Sequence, residues 1–243
     1  MEVIEHPIVY TLFGIMPIRD TVVYTWLIMA GIVLLVLLLK AIKPNFLEFI
    51  LESIIGIVDD AMDVDDLHPY IPLLGSLLIF TLVANMASLI PGMKSPTADL
   101  NTTIALALII VFSVHVYGMR KKGSWKYWKE FASPIFLLPI ELIGQVSRTL
   151  SLAMRLFGNV LSGDLIVAIV FSIIPMLLPI AMSAISMISG VLQAYVLTTL
   201  AALFISSAVE INEVDMKMKA EGKKRKSIKE VFNNRFRKEN ANG

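Results

Sequence analysis

Five apolar stretches, each long enough to cross a lipid bilayer, dominate the pattern of hydrophobic and polar positions along this chain. A helix rises about 1.5 Å per residue, so roughly 20 apolar residues cross a hydrocarbon core of about 30 Å. The pattern predicts an all-α polytopic membrane protein, a single membrane domain over residues 1–243. Its membrane helices are expected at about 22–39, 72–90, 100–119, 135–172 and 176–209. The last two stretches are longer than a perpendicular crossing requires, so we expect both helices to be strongly tilted.

Residues 45–62 follow a different pattern, in which apolar side chains recur at helical spacing and acidic side chains occupy the other faces. This pattern predicts an amphipathic helix lying in the membrane interface, and it fits a helix packed against another protein equally well. Residues 1–20 contain two prolines and are expected to form a short tail on the membrane surface.

The composition is that of a membrane protein. Hydrophobic residues make up 56% of the chain and charged residues 17%, with a mean hydropathy of +0.75. A soluble domain needs more charge than this to keep its surface hydrated. The chain has no cysteine, which excludes disulfides and thiolate chemistry. The first apolar run lacks a basic leader, so we expect a retained anchor instead of a cleaved signal peptide.

Basic residues cluster in three segments, and these segments set the expected orientation. Lys40 and Lys43 follow the first span, a second group lies at 120–129, and a third lies in the charged tail at 211–243. With five spans, all three segments fall on one side, which the positive-inside rule assigns to the cytoplasm. We therefore expect the N-terminus outside and the C-terminus in the cytoplasm. The aromatic residues mixed into 120–129 indicate an interfacial belt and not a nucleic-acid site.

One acidic cluster resembles a metal site, and it consists of Asp59, Asp60, Asp63, Asp65 and Asp66. Its spacing does not match an EF-hand loop, and no glycine stands at the turn position. We therefore expect no metal site, and the sequence indicates no cofactor.

The fourth predicted span carries charge at the depth of the bilayer. Arg155 lies near its middle, where an arginine is costly unless protein, water or a partner compensates it. At about 100° per residue, four more polar residues lie within about 40° of Arg155 and form a stripe with it: Glu141, Arg148, Asn159 and Ser162. Small residues between them would let another helix approach closely. Asp164 lies about half a turn away, facing the chain's own bundle.

Carboxylates are expected near both membrane faces and not at the central depth. By the helical rise, Glu141 lies about 21 Å inward of Arg155, and Asp164 lies about 13 Å outward. Three polar residues of the fifth span run from its outer to its inner end: Ser186, Gln193 and Glu210. This distribution describes two half-paths for an ion, separated by a fixed positive charge.

A mechanism follows from the charge of a guanidinium, which does not deprotonate at physiological pH. A carboxylic acid on a partner could arrive neutral, lose its proton near Arg155 and pass as the carboxylate. Arg155 itself cannot relay protons, so it would prevent a short circuit between the half-paths.

Structural roles compete with these functional ones. Arg155 could form an intramembrane ion pair, although Glu141 is distant and Asp164 faces elsewhere. Arg148 could pair with phosphate groups or with a partner and have no role in ion transport.

Other polar residues could likewise have a structural role and no role in ion transport. Asn159 and Gln193 could serve only as an interhelical hydrogen bond. His115, near the inner end of the third span, and Asn85, the main polar residue of the second, are secondary candidates for the ion path. A histidine in the position of His115 is more often a packing or interfacial residue.

Three motifs resemble subunit a of F-type ATP synthases. The sequence TLSLAMRLFGNVLSGDLI (149–166) is similar to the family's arginine signature, which is highly specific. VLQAYVL (191–197) is similar to the glutamine motif of the last span, and KSPTADLNTT (94–103) to the start of the third span. The resemblance covers about 45–210 in the same order. It implies that Arg155 is the essential stator arginine facing a rotating ring of c subunits, with Asn159 and Gln193 beside it.

The same resemblance implies roles for the carboxylates. Asp164 matches the acidic residue of the outer half-channel, and Glu141 and Glu210 match polar positions on the inner side. Some members carry a histidine seven residues before the glutamine, where this chain has Ser186. A histidine relay is therefore absent at this place, and water or Asp164 must serve.

The sequence thus predicts the ion-translocating stator subunit of a rotary ATP synthase, conducting H⁺ or Na⁺ through two offset half-channels. No phosphate-binding loop occurs, so we expect no catalytic site of its own. The expected partners are the c-subunit ring, peripheral-stalk b subunits and the lipid bilayer of a bacterial inner membrane, with no nucleic acid. A secondary ion transporter would usually show internal repeats, which we do not find. A structural membrane scaffold would leave the central arginine unexplained.

Overall fold

The computed structural model describes residues 8–12, 16–64, 66–90, 93, 95–125, 127, 138–174 and 178–239. Its helices are α1 (Asp20–Ile42), α2 (Pro44–Ala61), α3 (Ile71–Met86), α4 (Leu100–Lys122), α5 (Leu138–Ile173) and α6 (Leu178–Glu239). Two 3₁₀ turns, Ala87–Leu89 and Pro96–Ala98, lie between α3 and α4. The backbone alone is described for residues 8–12, 16–19, 122, 138, 141, 142 and 210–239.

Five of these helices contain segments long and apolar enough to cross a membrane. The segments are Asp20–Ile42, Ile71–Leu89, Leu100–Lys121, Ile143–Ile173 and Leu178–Val209. The predicted fold class, an all-α polytopic membrane protein, is confirmed. Helix α5 has 36 residues, which is about 54 Å at the helical rise, so a bilayer of normal thickness would require it to tilt.

A short hairpin precedes α1 and was not predicted. Strands β1 (Ile8–Leu12) and β2 (Met16–Arg19) pair antiparallel, with Ile8 opposite Arg19 and Leu12 opposite Met16. β2 ends where α1 begins, at Asp20.

Helix α2 packs against its own chain through its apolar face. Ile54 and Val58 are buried and belong to the hydrophobic core shared with α3, α4, α5 and α6. Phe46 and Phe49 remain exposed on α2. The amphipathic pattern therefore serves intramolecular packing, and it leaves part of the helix for contact with lipid or a partner.

Helix ends follow from local sequence. The Asp99 carboxylate accepts the backbone N–H of Asn101 at 2.9 Å and so caps the N-terminus of α4, which satisfies one of the free donors there. Gly123, with φ +81°, ends the same helix; glycine adopts a positive φ without the steric cost that a Cβ imposes. Pro44 and Pro72 stand in the first turns of α2 and α3, where a missing N–H costs nothing.

The core between α3, α4, α5 and α6 contains many small side chains. Six buried alanines are Ala84, Ala107, Ala153, Ala194, Ala201 and Ala202. Hydrophobic burial does not drive helix association within lipid, so close van der Waals packing over small residues takes its place.

Some predicted features lie outside the described residues. These are residues 126 and 128–137 of the basic aromatic loop and of the start of the fourth span, Asp65 of the acidic cluster, residues 176 and 177 of the fifth span, and 240–243 of the tail. The described backbone of the tail continues α6 to Glu239 without a break.

Candidate functional site

Helix α5 presents two distinct faces. Arg148, Arg155 and Ser162 are exposed, whereas Leu152 and Leu156 are buried against α4 and α6. The separation follows from the helical period, since residues seven apart return to nearly the same side. The polar stripe thus lies on the surface of this chain, at a depth where the neighbouring surface is apolar.

Arg155 has no hydrogen-bond or carboxylate partner among the side chains that the structure describes. Glu141 stands fourteen residues before it in the same helix, about 21 Å along the axis, which is beyond the reach of an arginine side chain. A guanidinium within a bilayer needs compensation. A group outside the described chain, such as water or a partner, must therefore supply it.

Arg148 is held by a second helix. Its guanidinium carbon lies 4.4 Å from the ring centroid of Phe204 in α6. A cation over an aromatic face is attracted by the ring quadrupole. This attraction contributes about 0.5–2 kcal/mol, depending on how exposed the pair is. Arg148 therefore belongs to the exposed stripe and is anchored to α6 at the same time.

Asn159 and Gln193 are joined across α5 and α6. The Asn159 side-chain amide donates to Gln193 Oε1 at 2.8 Å. Gln193 is buried, and its Nε2 has no partner among the described residues. A buried amide donor without a partner is unfavourable, and this one belongs to the side chain that accepts from Asn159, one helical turn after Arg155.

Asp164 lies on the other side of α5 from Arg155 and lines a small polar pocket. The pocket residues are Asn85, Ser88, Asn159, Val160, Asp164, Ser186 and Gly190. Its volume is about 10 Å³, room for roughly one water molecule. The Ser88 hydroxyl donates to the Asn85 carbonyl at 3.4 Å and lines the same pocket as Asp164. Ser186 approaches α5 closely, because a Cβ placed on Gly163 would lie 2.9 Å from Ser186 Oγ.

Asn85 ties three parts of the chain together at this pocket. Its Nδ2 donates to the Gly190 carbonyl of α6 at 2.9 Å, and its Oδ1 accepts from the Thr97 hydroxyl at 2.8 Å. Ser95 then joins the network by a 2.7 Å contact with Thr97 and donates to the Ala84 carbonyl. The position predicted as a secondary candidate is thus a buried clamp between α3, α6 and the turn before α4.

His115 is far from this pocket, in the C-terminal half of α4. Its Nδ1 lies 2.6 Å from the Tyr127 hydroxyl and its Nε2 lies 2.9 Å from Gln145 Oε1. The side chains of the predicted inner residues Glu141 and Glu210 lie outside the description, which covers only their helical backbone.

Several residues of these networks were missed in the sequence, among them Ser88, Tyr127 and Gln145. Ser88 stands one turn after Asn85, and Gln145 stands one turn after Glu141, so helical phase offered a weak signal for both. Tyr127 lies among basic and aromatic residues, and nothing in that pattern indicates an interhelical hydrogen bond.

No group of three His, Cys, Asp or Glu side chains in the described residues is arranged to hold a metal ion. Asp59, Asp60, Asp63 and Asp66 are exposed, and none of them contributes to such a group.

The chain matches the family model described as ATP synthase A chain over residues 22–206. It is 36% identical over 223 residues to ATP synthase subunit a 2 of Picosynechococcus sp., covering 88% of this chain and 95% of that protein. It is 40% identical over 208 residues to ATP synthase subunit a 2 of Bradyrhizobium sp., with 82% and 93% covered. ATP synthase subunit a of Geobacter sulfurreducens is 38% identical over 203 residues, with 79% and 88% covered.

Proposed function

The chain belongs to the ATP synthase A chain family, and from this premise we propose that it is the ion-translocating stator subunit of a rotary F-type ATP synthase. As a member of this family it is an integral membrane subunit of the ATP synthase complex. In the proposal it conducts H⁺ or Na⁺ through two offset half-channels. The ions pass to and from carboxylates on a rotating c-subunit ring.

The observation that supports the proposal most strongly is the state of Arg155. It is exposed on a membrane helix and lacks a partner among the described side chains. An arginine retained at such cost needs a compensating group, and a carboxylate on a neighbouring ring is the chemical complement. Because a guanidinium keeps its proton at physiological pH, Arg155 attracts a passing carboxylate and cannot carry a proton between the half-channels.

The outer half-channel would run through the pocket around Asp164. An ion entering from outside would meet Asp164 and Ser186, and then the Asn159–Gln193 pair one helical turn from Arg155. The pocket has room for roughly one water molecule. That water can bridge carboxylate and hydroxyl groups where a histidine is absent.

The proposed inner half-channel is inferred from the sequence. Glu141 and Glu210 stand at the inner ends of α5 and α6, and their carboxylates would exchange ions with the cytoplasm. Arg148, anchored over Phe204, would keep a second positive charge on the inward side of Arg155. The peripheral-stalk b subunits and a bacterial inner membrane complete the proposed setting.

The test replaces Arg155 and measures ATP-driven ion pumping by the whole complex in vesicles. For Arg155→Ala we expect coupled pumping to fall by roughly tenfold or more, since a preorganised charge is lost from the ion path. Arg155→Lys should retain part of the attraction and form a poorer barrier. Met154→Ala, at an exposed apolar neighbour, is the matched control and should pump normally.

Retained coupled pumping in Arg155→Ala would overturn the stator mechanism and favour a scaffold role. The sodium dependence of ATP hydrolysis by the same preparation distinguishes Na⁺ from H⁺ as the ion.

A further inference from the structure

His115 is bonded through both ring nitrogens to groups on two other segments. Its Nδ1 pairs with the Tyr127 hydroxyl at 2.6 Å and its Nε2 with Gln145 Oε1 at 2.9 Å. A carbonyl oxygen only accepts, so Nε2 carries the proton, and in the neutral ring Nδ1 accepts from the tyrosine. The ring therefore connects α4, the segment after it and the inner half of α5.

Two glycines of α4 and its C-terminus allow Tyr127 to pack in this position. A Cβ on Gly118 would lie 2.6 Å from Tyr127 Cε2, so only glycine at 118 lets the ring pack on α4. Gly123, with φ +81°, ends α4 between these two residues. Tyr127 is buried and meets His115 edge to face at a centroid distance of 5.9 Å. The ring thus closes the inner end of the contact between α4 and α5.

Gln145 lies on the face of α5 that meets the bundle. It is about 80° from Arg155 around the helix, on the side of the buried Leu152. A second direct side-chain bond from α5, Asn159 to Gln193, lies fourteen residues further along, about 21 Å by the helical rise. The two bonds hold α5 at two heights, one to α4 and one to α6.

We propose that His115, Gln145 and Tyr127 form a positioning unit for the arginine helix. The unit fixes the rotation of the inner half of α5 against α4, so that the stripe bearing Arg148 and Arg155 faces outward. The consequence for ion transport rests on the function proposed above, whereas the fixing of the helix does not.

The alternative role is a proton relay in which His115 itself exchanges protons on the inner half-channel. A relay would make pumping depend on the titration of the ring, so loss of the ring would change the pH profile of pumping. A positioning unit would lower pumping by the same factor at every pH.

The experiment measures helix position and pumping in the same intact complex. The chain has no cysteine, so cysteines at Phe112 on α4 and Val146 on α5, both exposed, give one spin-label pair once other reactive thiols of the complex are removed. Pulsed EPR then reports the distance distribution between the two helices. The variants are His115→Leu, Gln145→Leu, their combination, and His115→Gln, which keeps a donor and an acceptor.

We expect His115→Leu to broaden or shift this distribution and to lower coupled pumping about fivefold, the equilibrium shift that a lost interhelical hydrogen bond of typical strength produces. Gln145→Leu should act in the same direction with a smaller effect, because it removes only the bond between His115 and Gln145. The combination should be no worse than His115→Leu alone, which already removes that bond. His115→Gln should recover most of both properties, and it keeps the test informative where leucine prevents assembly. Ser113→Ala is the matched control, since Ser113 is buried on α4 and donates to the Ile109 carbonyl of its own helix.

Two outcomes would overturn the positioning role. One is an unchanged distance distribution in His115→Leu, whatever the pumping. The other is a shifted pH profile of pumping, which would indicate a relay. Arg155→Ala should leave the distance between Phe112 and Val146 unchanged. If Arg155→Ala retained pumping while His115→Leu altered this distance, the stator function would be refuted and the positioning role would stand.

Discussion

The buried side chain of Gln193 has one polar atom with a hydrogen-bond partner and one without a partner among the described residues. Its Oε1 accepts from Asn159, whereas its Nε2 has no partner among the described residues. Leaving a buried donor unpaired costs about 1–3 kcal/mol. A fold that retains such a group is less stable than it could be, and such sites are commonly functional. The ion path proposed at Arg155, one helical turn before Asn159, gives a reason for this cost.

Replacing Gln193 with leucine should therefore separate stability from function. We expect the thermal stability of the complex to change little, because removal of the unpaired donor offsets the loss of the hydrogen bond from Asn159, while coupled pumping falls several-fold. The checks are a thermal melt in detergent and ATP-driven pumping in vesicles. Thr198→Val is the control on the same helix, where a buried hydroxyl already bonded to the Ala194 carbonyl is lost. A melting temperature for Gln193→Leu below that of Thr198→Val would contradict this account.

At the scale of elements, α3 and α6 approach each other closely at a glycine. A Cβ on Gly190 would lie 3.1 Å from Asn85 Cβ, and the Gly190 carbonyl accepts from Asn85 Nδ2. Only a residue without a side chain allows the amide to reach the backbone of α6. This contact also forms one wall of the pocket around Asp164.

Gly190→Ala should destabilise the folded chain by about 1–3 kcal/mol, the usual cost of overpacking a tight contact. Gly31→Ala is the matched control, because nothing lies within 4 Å of a Cβ there, and alanine is favoured over glycine within a helix by about 0.5–1 kcal/mol. Thermal melting of the two variants in detergent should give shifts of opposite sign. Equal shifts would mean that the close approach of α3 and α6 is not needed.

Helix α2 also gains its role from its neighbours. Its amphipathic pattern fits contact with lipid and contact with protein equally well. Ile54 and Val58 are buried against the helix bundle of this chain, so that face of α2 contacts protein. Phe46 and Phe49 stay exposed, so the helix retains an apolar surface toward lipid or a partner.

At the scale of the molecule, the segregation of basic residues predicts how the chain is oriented in the membrane. Lys40, Lys43 and the basic tail fall on the side that the positive-inside rule assigns to the cytoplasm. Ile90, at the outer end of the α3 segment, and Ser124, just after α4, lie on opposite sides in this arrangement. Both are exposed.

Single cysteines at these two positions test the orientation, because the chain has none of its own. In intact cells a membrane-impermeant maleimide should label Ile90→Cys, whereas Ser124→Cys should react only after the membrane is opened. The reverse pattern would place the N-terminus inside. Labelling of both positions in intact cells would contradict a crossing of the membrane by α4, which lies between them.

The sequence alone determined the number of membrane helices and the two faces of α5. Apolar length sets how many helices can span, and the fixed rotation of about 100° per residue sets which residues share a face. For this reason Arg155 and Asp164 could be assigned to opposite sides of one helix before any neighbour was known. Both properties are local to a single helix.

Only the tertiary structure decided which residues meet between helices. Asn159 and Gln193 are 34 positions apart, His115 and Gln145 are 30 apart, and Asn85 meets Gly190 across 105 positions. Such pairs depend on the rotation, tilt and separation of two helices relative to each other, and helical phase contains no information on these. The same holds for Gly190, whose neighbours within α6 do not distinguish it from Gly31 in α1, because the need for glycine arises from the other helix.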